Sequence, residues 1–93
     1  MQLKIKKQTE ETITIETPKY YQSYYGSTVV KISDKGMTKV GNDIIVHFNY
    51  DEGSHFMSDL NELLEKGTEV QKEVFVDKLG TTLLTLQNII NEL

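Results

Sequence analysis

The sequence contains no cysteine, no tryptophan and no arginine, and its single proline is Pro18. Absence of cysteine excludes disulfides and thiolate catalysis, and removes the ligands most structural zinc sites require. Absence of arginine means that all ten basic side chains are lysines. Bidentate recognition of phosphates or guanine edges therefore lacks its usual residue, which weighs against nucleic acid as a partner. No apolar run approaches the ~18 residues of a membrane-spanning helix. The opening residues, MQLKIKK, alternate instead of forming an apolar segment, so no signal peptide is expected and the cytoplasm is the expected location. Glycine-rich phosphate loops are missing too. Gly36 and Gly41 stand five apart with no Gly-Lys-Ser/Thr after them, and both suit hairpin turns.

What remains is a chain of 93 residues, 38% hydrophobic, which suits one globular domain with a single modest core. Charge is divided unevenly along it. Residues 1–50 carry seven lysines against five acids, a net of +2, and residues 51–93 carry three against nine, a net of −6. The acidic second half, including Glu62, Glu65, Glu69, Glu73 and Asp77, is expected either to meet a basic partner or to imitate nucleic acid toward a protein that binds it.

The clearest periodicity lies in the second half. Val70, Val74, Phe75, Leu79, Leu83, Leu86, Ile90 and Leu93 recur mainly at spacings of three and four, the stripe of one long helix over about 69–92. Thr68 followed by Gln71 matches a capping box, and Glu69 and Glu73 suit the positive end of a helix dipole. Gly80 interrupts this helix, with three readings: a tolerated solvent-face glycine, a close backbone contact, or a division into two segments. A shorter helix over about 54–66 precedes it, with Ser54 as N-cap, Phe56, Met57, Leu60, Leu63 and Leu64 on one face, and Gly67 beyond its end.

The first half reads as strands. Leu3 and Ile5 alternate with polar residues, as do Ile13 and Ile15, and the two runs are expected to pair as a hairpin with those side chains inward. Pro18 ends the second run. Strands are expected next in the tyrosine-rich segment 20–25, then over Thr28 to Ile32, Met37 to Val40 and Ile44 to Tyr50, separated by Asp34-Lys35-Gly36 and Gly41-Asn42-Asp43 turns. Strands first and helices after is the α+β pattern. The expected architecture is an antiparallel, strand-rich part over about 2–50, with both helices packed on one face of the sheet.

Two surfaces stand out as candidates for binding. Tyr20, Tyr21, Tyr24 and Tyr25 place aromatics on both faces of a strand. The first expectation is structural, two of the four filling the core and two lying over the sheet edge; a protein contact comes next, and a platform for stacked bases last. Leu83, Leu86, Ile90 and Leu93 belong to a late helix stretch that is apolar over a wide arc. Either the first helix covers the excess, or a second copy or another protein does. Asp51, His55 and Asp59 fall four apart, a weak pattern for a divalent metal, and the ordinary reading is the approach to a helix start. His47 alternates within a strand and is expected at the surface. Neither a cofactor nor a metal is expected, and no nucleophile–base pattern marks an enzyme. The expected function is a small non-enzymatic protein-interaction or accessory protein, with self-association as a homodimer one of its readings; the alternative is a single-stranded nucleic-acid binder using the tyrosines.

Overall fold

A computed structural model describes residues 2–6, 12–23, 27–50 and 55–93. Strands β1 (Gln2–Lys6) and β2 (Thr12–Glu16) pair antiparallel, with Leu3 opposite Ile15 and Ile5 opposite Ile13. Ile15 is buried; the expected inward placement of the Leu3, Ile5 and Ile13 side chains lies outside the described residues. A second sheet has the order β6-β5-β4-β3-β7. Its strands are β3 (Lys19–Gln22), β4 (Val29–Ile32), β5 (Gly36–Val40), β6 (Ile45–Asn49) and the two-residue β7 (Thr68–Glu69), all antiparallel to their neighbours. Helix α1 (His55–Lys66) precedes β7, and α2 (Lys72–Asn91) follows it. This is the expected α+β order, a strand-rich first half followed by two helices packed against the sheet.

Side-chain alternation assigns the helices to their places. Val30, Ile32 and Met37 point to one face of the sheet, where Ile15 from β2 and Leu60 and Leu63 from α1 complete a core. Val29 and Val40 point to the other face, where Phe75 of α2 covers them and Tyr20, Ile45 and Leu79 pack around. Val29 and Val30 are neighbours in one strand, so their side chains must emerge on opposite faces. Each helix thus packs on a sheet face, but they take one face each, not one face together. The sequence carries a sign of this: consecutive buried apolar residues in β4 mark a strand covered on both sides.

The connection between the helices explains the division. Gly67 donates its N–H to the Leu63 carbonyl at 2.8 Å, closing α1. A Cβ there would press on the backbone oxygens of Leu63 and Gln22, so only glycine lets the chain pass this close to β3. Thr68 and Glu69 then pair with Gln22 and Tyr21, and Val70 N–H donates to Tyr20 O at 2.9 Å. Residues 67–70 therefore run along the sheet edge and carry the chain from one face to the other. The expected capping box does not form. Helix α2 starts at Lys72, with Gln71 as an N-cap that makes no side-chain bond. Backbone donors and acceptors on the otherwise open β3 edge outweigh one capping bond of about 1 kcal/mol.

Helix α2 is continuous through Gly80, which is exposed, and a Cβ built there meets nothing within 4 Å. The solvent-face reading of this glycine holds. No described helix is long and apolar enough to cross a membrane.

Candidate functional site

Helix α2 is anchored at one place and free at another. Phe75 lies against the sheet, its ring centroid 5.5 Å from that of Tyr20 and tilted by 47°. One turn on, Lys78 Nζ donates to Asn42 Oδ1 in the turn between β5 and β6. Thr82 then sends its hydroxyl to the Gly41 carbonyl of that same turn at 2.6 Å, and is fully buried. Thr82 is the last buried residue of the helix. The turn it touches is the end of the sheet, and past it no described residue of α2 is fully buried.

The eleven residues from Leu83 to Leu93 extend roughly 16 Å at the ~1.5 Å rise of a helix. Leu83, Leu84, Ile89 and Ile90 are between 46% and 63% exposed, and Leu93 is fully exposed. Leu86 is half-buried. At ~100° per residue, Ile89, Leu93, Leu86, Ile90 and Leu83 fall within an arc of roughly 120°, and Leu84 stands apart from it. Ile89 follows Phe75 and Thr82 at intervals of seven, so it prolongs the sheet-facing line past the sheet. From Leu79 to Asn91 the sequence holds no lysine, aspartate or glutamate. The protein's long dimension, 50 Å against 26 and 25 Å, accords with such an extension.

The described residues do not place α1 over this surplus. The described core residues of α1 lie in the cluster on the opposite side of the sheet.

The tyrosines divide. Tyr20 is half-buried against Phe75, on the α2 side. Tyr21 packs on the α1-side core. Its phenol is pushed above the usual range, first by burial and then by the nearby Glu69 carboxylate, with Lys19 opposing. Lys19 and Glu69 form an ion pair at 3.2 Å beside it. Tyr24 and Tyr25 lie outside the described residues. The segment thus supplies two half-buried aromatics to two different faces.

Exposed His47 Nδ1 sits 2.7 Å from Thr38 Oγ1, across from it in the sheet. Asp51 and the side chains of His55 and Asp59 lie outside the described residues. Among the described residues no group of three or more histidines and carboxylates is placed to hold a metal ion. Glu62, Glu65, Glu69, Glu73 and Asp77 are all exposed, on three different elements. Tyr50 closes the other end of the sheet: its hydroxyl donates to Ser33 O at 2.8 Å, and burial together with the Asp34 carboxylate raises its pKa to about 12.

Thr82 is the residue that sequence reading missed. Its place on the line from Phe75 to Ile89 was the available signal, because a hydroxyl buried there requires a partner, but Thr81 and Thr85 beside it blur that signal. Compared with protein-family models, curated proteins and solved structures, the chain matches none.

Proposed function

We propose that this is a small, non-enzymatic accessory protein that works by contact, and that a second copy of the chain covers the free end of α2. The observation that carries this reading is the loss of cover past Thr82, where an apolar, charge-free helix end stands in solvent. Three features favour a second copy. Leu79, Leu83, Leu86, Ile90 and Leu93 follow spacings of four, three, four and three, the seam that lets one helix pack against its like. The uncharged stretch keeps a chain of net charge −4 from repelling itself at the point of contact. Depletion of charge with retention of large aliphatics is also the composition of an interface core.

Light scattering over a concentration series tests this. The mass of the wild-type protein is expected to rise to at least that of two chains. Ile90 is 61% exposed, so covering it recovers roughly 1–2 kcal/mol in each copy. Removing both copies' contribution with Ile90→Glu is expected to weaken association roughly 100-fold, without lowering the melting temperature of the monomer. A wild-type protein that stays monomeric at every concentration, or an Ile90→Glu variant with an unchanged mass curve, would overturn the reading.

A further inference from the structure

The two edges of the larger sheet are treated differently. On the β3 side, the edge is closed by β7, a strand of two residues that carries Glu69 and its ion pair with Lys19. Short, charged edge strands of this kind discourage further pairing. On the other side lies β6, five residues long, reading Ile-Val-His-Phe-Asn. It has no lysine and no proline, and among the described residues no strand pairs with its outer side.

Printed register and hydrogen bonds identify the groups that face outward. Gly41 N–H donates to Ile44 O at 2.8 Å, and Tyr50 N–H donates to Lys35 O at 3.2 Å. Both pairs fit the β5–β6 register, in which Lys39 faces Val46 and Met37 faces Phe48. Main-chain bonding alternates along an antiparallel ladder, so residues 44, 46, 48 and 50 turn their N–H and C=O groups toward β5. Ile45, His47 and Asn49 turn theirs away from it.

We infer that β6 pairs antiparallel with β6 of a second copy, about a two-fold axis through His47. This register puts His47 opposite His47, and Ile45 opposite Asn49 in both directions. It satisfies all the outward groups of both strands with about six main-chain hydrogen bonds. Val46 then meets Phe48 of the other copy in the closer, non-hydrogen-bonded pair on the α1 side. Val46 is exposed as the protein stands, and an aromatic–β-branched pair is among the favourable cross-strand contacts. Self-pairing is favoured over a foreign strand because the sequence is complementary to itself at zero offset. From Ile44 to Tyr50 there is also no lysine or acid to set like charges against each other. The contact is independent of the one at the end of α2. Both are isologous, so a chain using both joins assemblies larger than a dimer.

Absence of native cysteine supplies a clean test. Two residues facing each other in a hydrogen-bonded pair have Cα atoms about 5.5 Å apart, within disulfide reach. Position 46 would be roughly 8 Å from its own copy, outside it. His47→Cys and Val46→Cys are each prepared in the Ile90→Glu background, which removes the helix contact. Under mild oxidation, His47→Cys is expected to form covalent dimer roughly tenfold faster or more than Val46→Cys. A second variant, His47→Pro, removes an outward N–H that bonds nothing in the sheet. It is expected to retain the circular dichroism of the fold and lose the residual self-association of Ile90→Glu. Equal crosslinking of the two cysteine variants would overturn the proposal, as would pairing of β6 with a strand of some other protein while His47→Cys stays monomeric. The α2 contact would stand in either case.

Discussion

Replacing Thr82 with valine tests how α2 is fixed to the sheet. Valine has nearly the shape of threonine, so the change removes the hydroxyl while leaving the packing volume. The hydroxyl donates to Gly41 O at 2.6 Å in a fully buried position. Its loss forfeits a hydrogen bond and leaves a carbonyl in an apolar setting, a penalty of about 1–3 kcal/mol, partly offset by no longer burying the hydroxyl. A net loss of about 1–2 kcal/mol is expected. For a chain of this length that lowers the melting temperature by roughly 5–15 °C. Thr81→Val is the internal control. It lies next in the same helix, its hydroxyl bonds only back to Asp77 O at 3.0 Å among the described contacts, and it is exposed. Helix propensity changes equally in both, so the difference between them compares the buried Gly41 bond with an exposed bond within the helix. Urea unfolding followed by circular dichroism gives both values. Should Thr82→Val and Thr81→Val agree to within about 0.5 kcal/mol, the bond to Gly41 contributes nothing and the anchoring argument fails.

Gly80→Ala is expected to stabilise the protein by about 0.5–1 kcal/mol, since the position is mid-helix, exposed and open to a Cβ; a higher urea midpoint at unchanged slope would show it. Tyr50→Phe bears on alkaline stability. The folded pKa of about 12 lies above the ordinary value of 10, so the folded state holds the phenolic proton more tightly. That contribution is complete below pH 10 and is lost as pH rises from 10 to 12. Lysines titrate alike in both proteins, so the wild-type urea midpoint is expected to fall more steeply across this window than that of Tyr50→Phe. Parallel curves would refute the assignment.

Much of the fold is legible in the sequence because strands and helices announce themselves through period. Leu3–Ile5 and Ile13–Ile15 alternate and pair in the expected hairpin. The segments Thr28–Ile32, Met37–Val40 and Ile44–Tyr50 become β4, β5 and β6 to within one residue at every end. Element starts were less legible where two local interactions compete. Thr68 and Gln71 have the chemistry of a capping box, but Thr68, Glu69 and Val70 lie against an unpaired strand edge. Only the assembled sheet shows that edge to be open. The placement of Thr82 was hidden for a similar reason. Its partner is a backbone carbonyl forty-one residues away, and backbone acceptors leave no trace in side-chain pattern.

The candidate surface was legible in part. Its wide apolar arc can be read directly from Leu83, Leu86, Ile90 and Leu93, but whether the arc is covered depends on where α1 goes. That is decided by the few residues between the helices. Had Thr68 capped α2 directly, a tight corner would have left the helices side by side on one face, with Leu60, Leu63 and Leu64 available to the late stripe. Pairing of Thr68 and Glu69 with β3 instead passes the chain around the sheet edge. The five-stranded sheet then stands between α1 and α2, and each helix has its own core. Covering α1 and α2 separately requires both sheet faces, which the consecutive valines of β4 supply. It also leaves nothing in the described chain to lie over α2 once the sheet ends at Gly41. Among the described residues, exposure of the helix end is thus a consequence of the crossover, and it is this exposed end that the proposed second copy would cover.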